Sequence, residues 1–286
     1  MSTPNLNLIG PGRLGQTLAR LWQQAGLVEI AGILGRNSQK TALARDFISA
    51  GTVVDWSDLR PADLILLATP DDALAHTVDQ LAASQTLRSG NIVFHCSGAL
   101  SSECLAPLRQ QGIAIASIHP LKSFARPELA VTDFSRTYCA YEGDACALAK
   151  LLPLFTDIGG QCFPVDAANK TLYHAGAVLG CNALVALMHA ALQSMAAAGV
   201  PQDIAWPALR PLIDGTLANL DRLGPTGALT GPVMRGDAQT VARQHAALNM
   251  LDPQLAEVYA ALGKLTLRLA NLPGAQQESM LSALKN

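Results

Sequence analysis

Three short stretches of this chain carry residues able to move protons. "HCSGALSS" brings His95, Ser97 and Gly98 together, "HPLKSF" brings His119, Lys122 and Ser123, and "KTLYHAG" sets Lys170 and His174 one helical turn apart. Reduction of a carbonyl or imine needs a hydride donor and a proton donor near the other end of the double bond. His119 can give that proton near neutral pH, Ser97 can hydrogen-bond a substrate oxygen, and Lys122 can pair with a substrate carboxylate. His174 can reach the substrate from its helix. Each has a structural counter-reading: His119 tying down the turn before Pro120, Lys122 in solvent, His174 as a satisfied core group. His95 reads as structural. Asn182 lies about 12 Å beyond His174 along the helix, a position suited to packing within the helical half.

These groups need a hydride carrier beside them, and the first twenty residues offer a place for one. "LNLIGPGRLGQTLARLW" runs a strand-like stretch through Gly10, Gly12, Arg13, Leu14 and Gly15 into a helical pattern. Gly10 permits the tight turn, Gly12 lets backbone approach a pyrophosphate, and Gly15 lets helix and strand pack closely. The helix N-terminus then faces the phosphates with its unpaired N–H groups.

The end of the second strand selects between dinucleotides. An NAD site usually presents Asp or Glu there for the ribose 2′-hydroxyl. This chain reads Leu34-Gly35-Arg36-Asn37-Ser38-Gln39-Lys40, with no acid. Arg36 offers a planar fork for a 2′-phosphate. Ser38 adds a donor and is expected to be the N-cap of the next helix, and Arg13 adds charge. The expected cofactor is therefore NADP(H). Thr69 and Pro70, after the fourth strand, are placed to line the nicotinamide ribose, with Asp71 or Asp72 capping the helix that follows.

Strands are expected at Asn5–Ile9, Glu29–Leu34, Thr52–Val54, Leu64–Ala68, Asn91–His95, Ile113–Ile118, Tyr138–Tyr141 and Gln161–Val165, with helices from Arg13, Ser38 and Asp71. That alternation predicts a parallel sheet covered by helices. After Asp166 only helical patterns remain: a long helix from about Ala168 to Ala198, a second to Leu223, then two or three more. The fold class is an α/β N-terminal Rossmann domain over residues 1–165 followed by an all-α domain over 166–286. Between the second and later helices runs "GPTGALTGPVMRGD", where Asp237 is an expected N-cap and Arg235 can approach a substrate carboxylate.

Composition narrows the function classes. Half of the 286 residues are hydrophobic and 15% are charged, with a net charge of −2. There is no basic cluster to attract nucleic acid or an anionic membrane. The six cysteines form no C-x-x-C pair and the first strand begins almost at once, which reads as free thiols in a reducing cytosol. No metal is expected. Ala175–Gly199 is apolar enough to raise a membrane span, but Asn182, His189, Gln193 and Ser194 interrupt it. A helix this poor in polar surface is expected to be covered in a homodimer.

With these motifs the whole chain resembles the Rossmann-like proteins that carry a C-terminal domain of unknown function 2520, often labelled as coenzyme-F420-dependent-type NADP oxidoreductases. "YHAGAVLGCNALVAL" and "GPTGALTGPVMRGDAQTVARQHAAL" are its most specific stretches. The family looks like a branch of the 6-phosphogluconate-dehydrogenase-like group, alongside ketopantoate reductase, pyrroline-5-carboxylate reductase, prephenate dehydrogenase and the β-hydroxyacid dehydrogenases. The resemblance implies a helical domain that dimerises and closes over the nicotinamide. His119-Pro120 is similar to the H-P-x-x-G of prephenate dehydrogenases, although Leu121-Lys122-Ser123 replaces the Gly turn. The K-x-x-x-N of β-hydroxyacid dehydrogenases becomes Lys170-x-x-x-His174; shifted to end at Asn182 it puts Val178 in the Lys position. The reading that follows is an NADP(H)-dependent oxidoreductase of a small keto-, hydroxy- or imino-acid. The alternative is a dinucleotide-binding sensor or scaffold without turnover. An F420 partner is suggested by the family label alone.

Overall fold

The computed structural model describes residues 3–285 and divides into two compact units, residues 1–180 and 181–286. The first unit is built on an eight-stranded sheet: β1 (Asn5–Ile9), β2 (Glu29–Leu34), β3 (Thr52–Val54), β4 (Leu64–Leu67), β5 (Ile92–His95), β6 (Ala114–Pro120), β7 (Tyr138–Gly143) and β8 (Gln161–Pro164). Their spatial order is β3-β2-β1-β4-β5-β6-β7-β8. The first six run parallel, β7 runs antiparallel to β6, and β8 runs parallel to β7. β4 and β5 are buried at every residue, which is why "LILL" and "IVFH" do not alternate.

Helices α1 (Arg13–Gln24), α2 (Ser38–Ile48), α3 (Asp71–Ala83), α4 (Pro127–Thr132), α5 (Ala145–Thr156) and α6 (Lys170–Gly180) complete this unit, with a 3-10 stretch at Ser102–Gln111. The period-two side-chain alternation of the strands separates two cores. Leu6, Leu8, Leu66, Phe94 and Ile118 pack on one face with Trp22 and Phe155. Ile9, Ile65, Leu67, Val93 and Ile115 pack on the other with Leu74 and Leu105. Trp22 locks α1 to α5: its indole N–H donates to the Leu154 carbonyl at 2.9 Å, and its ring meets Phe155 edge-on at 5.3 Å. A register shift between β1 and β2 leaves the Gly32 N–H to the buried Asn7 side chain, which accepts it at 2.9 Å.

Several local expectations are corrected. Ser38 is the first residue of α2 and not its cap; Asn37 is, its side chain accepting from the Lys40 N–H at 2.9 Å. Asp71 and Asp72 lie inside the first turn of α3, after Pro70, and neither caps it. The sheet is not wholly parallel, because β7 reverses. The long helix is broken at Cys181 (φ −121°, ψ −62°) into α6 and α7 (Asn182–Ala197). The contact boundary falls at that break, since α6 is anchored in the first unit through the buried Lys170.

The second unit is helical: α7, α8 (Gln202–Ala228), α9 (Ala238–Leu251), α10 (Pro253–Ala270) and α11 (Gly274–Ala283). α8 kinks at Gly224, whose φ of 66° interrupts the helix just before Pro225. Asp237 caps α9 as expected, accepting from the Thr240 N–H at 3.1 Å. Val241, Ala260, Leu267, Met280 and Leu284 form its core. Residues Ala167–Ala197 are long and apolar enough to cross a membrane by length and composition, and their most apolar window is unburied.

Candidate active site

The β1–α1 loop is fixed by its neighbours on both sides. Gly10 N–H donates to the Leu34 carbonyl of β2 and Ala68 N–H donates to the Ile9 carbonyl, each at 2.8 Å. Gly10 has φ 88°, and a Cβ there would sit 2.8 Å from the Ala68 backbone. Gly15 is closed in by the Gly10 carbonyl at 2.9 Å and by Leu8 at 3.0 Å, so α1 can approach the sheet only without a side chain. Gly12 differs: its missing Cβ meets only the Ala68 carbonyl, at 4.0 Å, and leaves open space over the loop. The N-terminus of α1 has no side-chain cap and no acidic residue in its first turn, so the N–H groups from Arg13, Leu14 and Gly15 begin the helix without a side-chain acceptor. That combination is a cradle for an anion.

The end of β2 adjoins this cradle. A Cβ on Gly35 would lie 3.0 Å from Pro11. The exposed Arg36 follows directly, with Ser38 exposed at the start of α2. Across the loop, at the end of β4, the Thr69 hydroxyl is buried and has no hydrogen-bond partner, and Pro70 is exposed beside it. A buried hydroxyl without a partner is costly in a finished core.

The proton-moving residues gather at the carboxyl ends of β5 and β6, joined by β7 and α6. Parallel pairing puts the ends of β5 and β6 on the edge that carries the phosphate loop. Ser117 and His119 alternate onto one face of β6, and Glu142 pairs opposite Ser117 in β7. The first turn of α6 inserts Lys170 among them, 1% exposed, with Nζ 3.0 Å from Glu142 Oε1 and bonded to the Ser117 hydroxyl. Burial pulls the Lys170 pKa down and the Glu142 carboxylate pulls it back up. Glu142 also accepts from the Ser102 N–H at 2.9 Å and the Ser102 hydroxyl at 2.6 Å, which satisfies the carboxylate on both oxygens.

His119 and His174 meet over Gly98. Their rings are 5.6 Å apart at 82°, and a Cβ on Gly98 would collide with Nδ1 of His174 and lie 2.9 Å from Nε2 of His119. His119 Nδ1 is 2.9 Å from the Tyr173 hydroxyl. Burial lifts the Tyr173 pKa to about 12 and keeps the phenol protonated. With the phenol donating to Nδ1, the His119 proton resides on Nε2, facing Gly98. Burial, then the His174 and Lys170 charges, push the His119 pKa down to about 4. The ring is neutral at pH 7, so the expected imidazolium proton donor is not the resting form. His174 Nδ1 is buried without a partner.

Ser97 and Lys122 each already have a carboxylate partner within the protein. The Ser97 hydroxyl donates to Asp71 at 2.9 Å and accepts the N–H groups of Ala99 and Leu100 at 3.2 and 2.9 Å. It braces the turn that carries Gly98, and its one proton is already engaged. Lys122 pairs with Asp133 at 2.8 Å. His95 is a core residue, as expected: Nδ1 accepts from the Ser97 N–H at 3.1 Å, so Nε2 carries the proton toward the Ser101 carbonyl at 3.2 Å. In the second unit Arg235 is exposed in the turn before α9.

The sequence reading assigns no role to Glu142, Ser117 or Tyr173. Tyr173 was visible inside "KTLYHAG", next to His174. Glu142 and Ser117 gave no signal, because the Glu142–Lys170 pair joins a strand to a helix 28 residues away. No group of three or more possible metal ligands occurs among the described residues.

Comparison with known proteins agrees with this anatomy. Residues 3–120 match the Rossmann-like domain and residues 137–266 match the domain of unknown function 2520. No curated protein matches the chain significantly. Among solved structures, a candidate NADP oxidoreductase from Bacteroides fragilis is 20% identical with a TM-score of 0.77, covering 93% of this chain and 98% of its own. A protein from Thermotoga maritima is 24% identical at a TM-score of 0.71, with the same coverage of 93% and 98%. An imine reductase from Myxococcus stipitatus, in complex with NADP+, is 15% identical at 0.70 and covers 98% of this chain and 99% of its own. At these identities the likeness is one of fold.

Proposed function

We propose, since the chain belongs to the proteins that join a Rossmann-like domain to a domain of unknown function 2520, that it is an NADP(H)-dependent oxidoreductase acting on a small keto-, hydroxy- or imino-acid. The observation that carries this reading is the pairing of an uncapped α1 N-terminus over Gly12 with Arg36, rather than an acid, at the adjoining end of β2. The unpartnered Thr69 hydroxyl fits the same ligand. Gly10, Gly12, Arg13, Leu14 and Gly15 would hold the pyrophosphate, Arg36 and Ser38 the 2′-phosphate, and Thr69 and Pro70 the ribose next to the nicotinamide. When bound, the nicotinamide supplies or accepts a hydride.

The chain's own residues supply the rest. Neutral His119, oriented by Tyr173, presents a ring nitrogen beside Gly98 to hydrogen-bond the reacting oxygen or nitrogen. His174 presents its unpartnered Nδ1 to the same place. Lys170, positioned by Glu142, lies behind Ser117, and its charge adds to burial and to His174 in keeping His119 neutral in the resting site. All six cysteines are free, in keeping with a reducing cytoplasmic setting. The exposed apolar side chains of the helical unit, among them Val185, Leu212 and Met250, suit burial against a second copy; light scattering should report a dimer, and a monomer at micromolar concentration would refute that part.

A panel of small 2-keto and imino acids, followed by loss of NADPH absorbance, tests the activity. Turnover of one class with NADPH is expected. NADPH binding with no turnover across a broad panel in both directions would favour a sensor.

A further inference from the structure

A cavity of about 560 Å³ lies within the first unit at the edge of the sheet formed by β6, β7 and β8, and its walls are chemically divided. Leu121, Tyr138 and Phe163 form an apolar side, and Lys122 and Arg136 bring cations to the rim. The sheet register ties this cavity to the site. His119 pairs with Ala140, and Ala140 pairs with Phe163, so the three stand in one row across β6, β7 and β8. Tyr173 bridges the row: its hydroxyl holds His119 at 2.9 Å while its ring lies 6.3 Å from Phe163. Tyr138 continues the aromatic wall at 6.2 Å from Phe163, and the Leu121 N–H bonds the Tyr138 carbonyl at 2.8 Å.

The two cations are not equivalent. Lys122 is paired with Asp133 at 2.8 Å, which offsets most of its charge. Arg136 joins no ion pair among the described residues. Its backbone is left-handed, φ 67°, a conformation a side-chain-bearing residue adopts at a cost. The Arg136 N–H donates to the Gly159 carbonyl at 2.7 Å, which pins that backbone. A surface turn needing only that backbone would be served by Gly. An exposed guanidinium without an ion-pair partner, lining the same cavity as Tyr138 and Phe163, suits a ligand that is both flat and anionic.

The geometry points to this cavity as the subsite for the non-reacting end of the substrate, and it assigns that end as an aromatic or similarly flat apolar group bearing a carboxylate. This rests on the oxidoreductase reading for the reacting end and adds the substrate class.

Calorimetric titration of the full chain with 3-phenylpropionate, 3-phenylpropionamide and propionate tests it. The acid with a ring should bind, and loss of either the charge or the ring should weaken binding at least tenfold. Arg136→Gln and, as a second variant on a regular strand, Phe163→Leu should each weaken 3-phenylpropionate about tenfold while NADPH affinity stays within twofold. Failure of the wild-type chain to bind 3-phenylpropionate, or undiminished binding by both variants, overturns the subsite. NADPH titration of the same samples reads the oxidoreductase proposal separately, since its failure in the wild-type chain would leave the cavity result standing.

Discussion

The Lys170 ammonium lies 3.0 Å from the Glu142 carboxylate, with both side chains withdrawn from water. Strand β7 and helix α6, which carry residues 28 apart in sequence, are thereby pinned together at the site. Removing one partner leaves a buried charge uncompensated, which costs about 3–5 kcal/mol, whereas replacing both with apolar groups of similar volume costs far less. Glu142→Ala should therefore lower the melting temperature sharply, and the double variant Glu142→Leu with Lys170→Met should regain most of the loss. A Glu142→Ala protein as stable as the parent would show that the pair does not anchor α6.

Gly98 should be intolerant of even a methyl group. The added carbon would displace both His119 and His174, whose nitrogens crowd its position. Misplacing catalytic groups by about 1 Å can cost about 10²-fold, so Gly98→Ala should cut kcat on that scale and leave NADPH affinity unchanged. Equal kcat in the variant would remove the imidazole pair from the chemistry.

The buried histidines should make the fold acid-sensitive. Their folded-state pKa values fall from 6.5 to about 3 for His95 and about 4 for His119, through burial first and neighbouring positive charge second. The unfolded chain binds these protons below pH 6.5 and the folded chain does not, so stability is full above that value and falls as pH drops toward 4. At about pH 5.5 each histidine should have cost about 1.4 kcal/mol. Chemical denaturation at stepped pH should show this slope, and His119→Gln should remove about half of it. A flat profile between pH 7 and about 5.5 would contradict neutral burial of these rings.

The legibility of this protein in its sequence follows range. β1, β2 and β3 have their expected bounds, because each is a short apolar run between turn residues. The glycine loop was readable because each glycine answers a separate local demand, and the structure shows the tight turn at Gly10 and the close helix–strand packing at Gly15. Ser97 was readable as polar and well placed, but its bond to Asp71 was not, since that partner is 26 residues away. The caps were misassigned by one residue at α2, where Asn37 and Ser38 both suit the position and only Asn37 has extended backbone before the helix. The break at Cys181 falls between Gly180 and Asn182 in "GAVLGCNALV", where no proline marks it. The reversal of β7 likewise leaves no local mark.

Affinity for NADPH against NADH, in the parent chain and in Arg36→Asp, tests the central claim most directly. The account predicts tighter binding of NADPH by the parent. Loss of one charge-assisted pair in the variant should weaken NADPH by about 10- to 150-fold, from about 1.5–3 kcal/mol, with NADH spared or improved. Equal affinities in the parent, or NADPH binding untouched by Arg36→Asp, would contradict it.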